Sequence, residues 1–496
     1  MADQSRLPRF PSKIRTFVIS DISNEPDDAE SLVRFLLYGN EFDIQGLVAC
    51  TSTWMRKNVH PEDMQTIVSA YAKVVDNLNA HVHPDNQYPS AAYLQSIIKS
   101  GPALYGKEAL RPEVSLSEGA ALLIDRLDAS DAPLWVLCWG GTNVLAQALQ
   151  HVEKTRSADE GARLRAKLRV YAISDQDDTG MWIRVKFPDV FYICSVHGWK
   201  EYGMAAWTGI SGDVLAPMDG GGPDKSTITK EWLKEHIQIG PLGEAYPDYA
   251  FIMEGDTPTF LYLIQNGLGS PENPHWGSWG GRYVLADIGG AANHYSDAKD
   301  LVVGNDGLEY RSNQATIWRW RREYQNDFAA RMQWTLSGDR SRANHAPVVV
   351  VNESGPGPEP FRLEAEAGSE ITLDASESYD PDGDALSFRW FQYKEATTSQ
   401  SAIHWHAVPD VEFTPVDEAG SGSVVKVRVP PAEACAVDIL TGEALAEGQA
   451  LHFILEVKDS GSPVLTTYKR VVVQVTNKDA RGGGKAFETI TAALGH

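Results

Sequence analysis

The sequence predicts an α/β domain, with a mostly parallel sheet covered by helices on both faces, followed by an antiparallel β-sandwich. Two patterns predict it. Up to about residue 340, short apolar runs alternate with helical patterns. Beyond that point, period-2 runs are separated by turn residues. The chain's 496 residues are also too many for one ordinary core.

The elements follow in order. Residues 15–20 read as a buried strand, and 26–37 as a helix with Pro26 in its first turn. Residues 43–50 read as a second strand, and 62–78 and 117–127 as periodic helices. A strand at 134–138 leads into a helix at 143–152, and runs at 168–173 and 190–194 continue the series. Parallel strands of this kind are buried on both faces, and ligands bind outside their carboxyl ends. The polar loops after the strands are therefore where chemistry is expected. Composition changes near Asn344. A loop rich in Gly and Pro at 352–360 precedes alternating runs at 370–374, 386–391, 424–429, 451–457 and 468–475, the pattern of a sandwich. The expected division is 1–343, 344–478 and a flexible tail at 479–496.

Hydrophobic residues make up 43% and charged residues 22%, a globular balance. A net charge of −23 argues against nucleic acid, because phosphate binding needs clustered Lys and Arg. The run Arg319-Trp-Arg-Arg322 reads as one stretch of an amphipathic helix. No apolar run reaches the roughly 18 residues of a membrane helix. The first residues carry no apolar core of a signal peptide, so the expectation is a cytoplasmic protein or a trimmed secreted form. Cys50, Cys138, Cys194 and Cys435 lie in apolar runs and read as buried free thiols, since their spacing fits neither a zinc motif nor a disulfide framework. Trp318, Trp320, Tyr324, Phe328 and Trp334 read as packing residues.

The loop Asp21-Ile-Ser-Asn-Glu-Pro-Asp-Asp28 carries four carboxylates in eight residues. Like charges this close are costly unless something offsets them. A helix N-terminus offsets part of the cost. A divalent cation offsets more, and carboxylate-rich loops suit calcium. The alternative is an acidic helix cap in a solvated loop.

Nucleoside hydrolases open with a strand ending in an Asp-x-Asp-x-x-x-Asp-Asp loop that binds calcium and ribose hydroxyls, and the loop at 21–28 resembles it. Ser23 stands at the position of the second Asp. The longer run Ser20-Asp-Ile-Ser-Asn-Glu-Pro-Asp-Asp-Ala29 is similar to a nucleoside-hydrolase-like family joined to a β-sandwich, whose members go under the description of cellulose-binding proteins or of unknown function. The segment Trp139-Gly-Gly-Thr-Asn-Val-Leu-Ala146 resembles the Gly-Pro-Leu-Thr-Asn segment of nucleoside hydrolases, and Glu254-Gly-Asp-Thr-Pro258 resembles their late His-Asp pair, with Gly255 at the place of the His.

The resemblance implies a calcium site of Asp21, Asp28, the Thr142 carbonyl and Asp256, with Asp27 acting on sugar hydroxyls or on a water. Glu25 could replace the carboxylate missing at Ser23, as acid or base. Asn24 and Asn143 are expected to bind substrate. Asp175, Gln176 and Asp177, in the loop after residue 173, could bind hydroxyls. Trp276, Trp279 and Arg282, in His275-Trp-Gly-Ser-Trp-Gly-Gly-Arg-Tyr283, could face a sugar ring, the alternative being aromatic packing at a domain junction. The segment Leu373 to Trp390, with its Asp380-Pro-Asp-Gly-Asp384 turn, resembles immunoglobulin-like modules of the cadherin type.

The expected function is a glycoside hydrolase acting on a neutral small-molecule glycoside or oligosaccharide. The alternatives are a non-catalytic carbohydrate-binding protein and a true nucleoside hydrolase. No nucleic-acid or membrane partner is expected, and the resemblance implies a homo-oligomer unless the sandwich blocks the surfaces it would use.

Overall fold

The structure, a computed structural model, describes residues 3–197, 199–212, 218–286, 290–397, 408–417, 420–438 and 443–480. Most of the expected tail at 479–496 thus lies outside the described residues. The chain folds into two compact units. One holds Phe10–Ile264 and Ser270–Ala343; the other holds Arg6–Arg9, Gln265–Gly269 and the chain from Asn344 on.

In the first unit, strands β1 (Ile14–Ser20), β2 (Phe42–Ala49), β3 (Ile98–Ser100), β4 (Leu134–Cys138), β5 (Leu168–Ala172), β6 (Phe191–Cys194), β7 (Tyr283–Leu285) and β8 (His294–Asp297) form an eight-stranded sheet among the described residues, and β9 (Asp300–Val303) and β10 (Glu309–Ser312) form a separate antiparallel hairpin. Its order is β3-β2-β1-β4-β5-β6-β8-β7, and every pairing is parallel except β7 with β8. The near-continuous apolar runs of β1, β4 and β6 suit strands covered on both faces. Helices such as Glu118–Asp128 and Asn143–Thr155 bury their apolar stripes in one core with β1, β4 and β5. Strand order reverses between β1 and β4, so the loops leaving these two strands diverge and open a crevice, the usual ligand position in such sheets.

Two expectations need correction. The helix expected over 62–78 is two helices, Pro61–Tyr71 and Val75–Ala80. Four-residue turns closed by the N–H groups of Lys73 and Val74 on the carbonyls of Ala70 and Tyr71 break it, where the adjacent β-branched Val74 and Val75 disfavour a continuous helix. The run 319–322, expected as one stretch of an amphipathic helix, instead spans the turn between helices Ala315–Trp318 and Arg321–Trp334. Arg321 is buried and donates to the carbonyls of Gly209, Ile210 and Asp224, while Arg319 pairs with Asp300. Trp318, Trp320, Tyr324, Phe328 and Trp334 are buried, and so are all four free cysteines.

In the second unit, strands β11 (Phe361–Glu366), β12 (Glu370–Asp374), β13 (Ser387–Gln392), β14 (Phe413–Pro415), β15 (Val424–Arg428), β16 (Glu447–Lys458) and β17 (Thr466–Thr476) form sheets β11-β17-β16-β13 and β12-β15-β14, around a core of Leu373, Val427, Leu451, Phe453, Val471 and neighbours. The β11–β17 pair is parallel within an otherwise antiparallel set; alternation in the sequence marks a half-buried strand but not its direction. In the Asp380-Pro-Asp-Gly-Asp384 turn, Asp380 Oδ1 accepts the backbone N–H groups of Asp382, Gly383 and Asp384.

Candidate active site

The acidic loop leaves β1 at the crevice. Ser20 Oγ accepts the N–H of Ile22 at 3.1 Å and donates to Asp28 Oδ1 at 2.5 Å, and the N–H of Asn24 returns to the Asp21 carbonyl at 3.1 Å. The chain then enters helix α1 (Pro26–Leu37), with Asp27 and Asp28 in its first turn, where the helix dipole and open N–H groups favour negative charge. The loop after β4 presses against it. A Cβ on Gly140 would stand 2.6 Å from Asp21 Oδ1, so only glycine permits this approach.

Asp256 arrives from far along the chain, and a buried network sets its position. Glu254, in the left-handed region at φ 56°, gives its N–H to Glu30 Oε2 at 2.8 Å. Its carboxylate pairs with Arg34 at 2.7 Å and accepts the Tyr246 hydroxyl at 2.8 Å. Arg34 also donates to Gln325 Oε1 and the Tyr324 carbonyl, and both partners of the ion pair are fully buried. Glu30 and Arg34 lie one and two turns along α1 from Asp27, so the same helix carries two site carboxylates and anchors the loop of the third. Carboxylate oxygens of Asp27, Asp28 and Asp256 come within 4.8 Å of one another. Asp256 Oδ2 is buried with no hydrogen-bond partner.

This crowding raises the carboxyl pKa values. Burial, then the charges of Glu25 and Asp21, push Asp27 up to about 8. Burial raises Asp21 to about 6, opposed by a hydrogen bond with Ser52. Burial, then the neighbouring Asp charges, also raises Asp28 and Asp256. Crowded carboxylates that repel one another favour protonation or a bound cation.

The carboxylates face a cavity of about 490 Å³, within the usual range for small-molecule sites. Asp21, Asn24, Glu25, Asp27, Asp28 and Asp256 supply its polar side with Gln176. Trp54, Trp139, Tyr202, Trp207 and Phe251 supply an aromatic side. Trp207 is fixed by its indole N–H on Ser174 Oγ, and Tyr202 packs edge to face on Trp207 with ring centroids 5.3 Å apart.

Comparison with known proteins bears on this arrangement. Residues 15–283 match the family model described as "Cellulose-binding Sde182, nucleoside hydrolase-like domain", more than half of the chain. The chain belongs to this family. Residues 370–475 match the model of the "Cellulose-binding protein Sde0182, C-terminal domain". The chain is 32% identical to a nucleoside hydrolase-related protein from Saccharophagus degradans associated with carbohydrate metabolism, over 94% of this chain and all of that one, with a TM-score of 0.73. It shows a fainter likeness to the inosine-uridine preferring nucleoside hydrolase of Bacillus anthracis, 14% identical over 64% of this chain and all of that one, with a TM-score of 0.31. No curated protein matches the sequence.

Two departures of this Sde182-family member from the nucleoside hydrolase motif have a structural counterpart. Ser23 adopts φ 82° and turns its hydroxyl to Asp63, outside the cavity lining. A Cβ on Gly255 would stand 2.7 Å from Asp27 Oδ2, so a histidine there would displace Asp27.

Several residues expected from sequence do not reach the cavity. The Thr142 carbonyl accepts the N–H of Ala146 as part of the following helix, and its hydroxyl meets Asp177 and Thr179. Asn143 braces Thr51 Oγ1 and the Leu104 carbonyl. Asp175 is held in a fork by Arg184, and Asp177 accepts the N–H groups of Asn143 and Thr179. Of that loop only Gln176 lines the cavity, donating to the Trp139 carbonyl. Trp276 and Trp279 are buried in packing, and Arg282 is buried against Asp300 and the Lys299 carbonyl. The residues missed by sequence reasoning are the aromatic wall. Trp54 and Phe251 sit in bends, and Tyr202 and Trp207 in short 3-10 turns, where spacing carries no periodic signal.

Proposed function

We propose that the acidic cavity binds a neutral carbohydrate and hydrolyses a glycosidic bond. The observation that carries this reading is the group of half-buried Asp27 with buried Asp28 and Asp256, with the unpartnered Asp256 Oδ2, beside an aromatic wall at the strand-order reversal. An oxocarbenium-like transition state needs a negative field, and the carboxylates supply it. Asn24 and Gln176 would orient hydroxyls by hydrogen bonds. Asp27 would accept the proton of the attacking water, and Glu25, half-buried at the helix start, would return a proton to the leaving oxygen. The aromatic wall would keep bulk water out.

The all-carboxylate donor set and the unpartnered Asp256 Oδ2 fit a hard divalent cation such as Ca2+, held by Asp27, Asp28 and Asp256 with Asp21 adjoining. Bound there, it would neutralise the cluster, order sugar hydroxyls and acidify a water.

Ser23 turned away and Gly255 in place of a histidine favour a second reading, a carbohydrate-binding protein without catalysis, which the family's description also supports. A panel of aryl glycosides, cello-oligosaccharides and nucleosides, with and without chelator, separates the readings. Hydrolysis predicts release from a glycoside and a loss of at least about 100-fold in kcat for Asp27→Asn. Saccharide binding without release supports the second reading, and turnover of nucleosides alone supports an N-ribosyl hydrolase.

A further inference from the structure

We infer that the ligand is an oligosaccharide, with one unit among the carboxylates and the next stacked on the indole of Trp54. This rests on the carbohydrate reading above and extends it to the size of the ligand.

Trp54 lines the same cavity as the carboxylates yet is 53% exposed, whereas Trp135, Trp139, Trp207 and Trp279 are buried. An indole left in water forgoes the burial that tryptophan usually contributes to a fold. Its loop, which follows β2 on the site edge of the sheet, is not loose. Ser52 Oγ accepts the N–H groups of Trp54 at 3.0 Å and Met55 at 3.2 Å, and the Ser52 N–H closes the turn on the Met55 carbonyl at 3.0 Å. The Thr53 N–H donates to the Gln176 carbonyl at 2.6 Å, and Arg56 lies over the Tyr105 ring at 4.5 Å. Tyr202 meets Trp54 edge to face at 6.3 Å and continues the wall inward to Trp207.

A held, exposed, flat apolar surface beside polar groups suits the C–H face of a pyranose ring, because ordering it costs little further entropy on binding. The cavity volume of about 490 Å³ exceeds what a single sugar ring fills. The crowded carboxylates disfavour an anionic ligand, and a neutral saccharide carries no such penalty. Phe251, 47% exposed on the same lining, adds a second apolar surface to the rim.

The test is calorimetric titration of the full chain, with calcium present, using glucose, cellobiose, cellotriose and cellotetraose. The expected result is a gain in affinity on the order of tenfold when the second or third unit is added. That gain should vanish in Trp54→Ala and largely return in Trp54→Phe. Because Trp54 is exposed, unchanged melting of Trp54→Ala is the check that the fold is intact. A gain that survives in Trp54→Ala overturns this inference and leaves the carbohydrate reading standing. So does binding of glucose with no gain on lengthening, or a nitrophenyl glucoside that gains as much as cellobiose. Failure of the intact protein to bind any saccharide removes both.

Discussion

Asp256 Oδ2 is a buried oxygen with no protein partner, facing Asp27 and Asp28. Asp21, Asp27, Asp28 and Asp256 all hold their protons more tightly in the folded chain than in the unfolded one, so charging them favours unfolding. The penalty is absent below pH 3.8, the ordinary Asp value, grows as pH rises, and for Asp27 is complete above about 8. In chelator, thermal melting should therefore fall between pH 5 and about 8, and added Ca2+ should reverse the fall, most strongly at the upper end. Asp256→Asn should raise melting in chelator at pH 8 by about 2–4 °C while abolishing the calcium effect. A melting temperature that rises with pH in chelator, or a full calcium response in Asp256→Asn, would count against this centre. That Asp21, Asp27 and Asp28 lie together was readable at this scale, because they crowd one short loop, and all three line the cavity. Asp256 was placed by resemblance, since 227 residues of chain lie between it and Asp28.

Helix α1 works at both its ends. Its first turn presents Asp27 and Asp28, and Glu30 and Arg34 hold the loop that carries Asp256. Arg34→Met would leave Glu254 charged and fully buried, and should cost about 3–5 kcal/mol in urea unfolding. The double variant Arg34→Met/Glu254→Gln should lose at least about 1 kcal/mol less than the two single losses added together, because removing both charges leaves no buried orphan. Additive losses would show that the pair does not act as a unit. The sequence predicted this helix with its correct limits from Pro26 and the apolar period. It said nothing of what Arg34 meets, since its partners Glu254, Tyr324 and Gln325 come from the far end of the unit.

Across the molecule, the carboxylates of the candidate centre all belong to the first compact unit. Hydrogen exchange should therefore slow on adding Ca2+ in Asp21–Leu37 and residues 253–261, while β16 and β17 of the second unit exchange as before. Equal protection in β16 and β17 would mean that the ion binds elsewhere or acts on both units. Among the described residues no helix is long and apolar enough to cross a membrane.

The sequence by itself determined the alternation of strands and helices, the period-2 runs of the second unit and the acidic loop. These depend on local period and composition, which a chain carries before it folds. Only the tertiary structure decided which residues surround that loop. Asp175, Trp279 and Arg282 have the right chemistry for a sugar but are consumed by Arg184, by packing and by Asp300. Trp54, with nothing in its sequence context to distinguish it, lines the cavity and remains exposed. Whether a side chain reaches a site depends on the partners that folding brings to it, and those partners lie too far along the chain for spacing to reveal them.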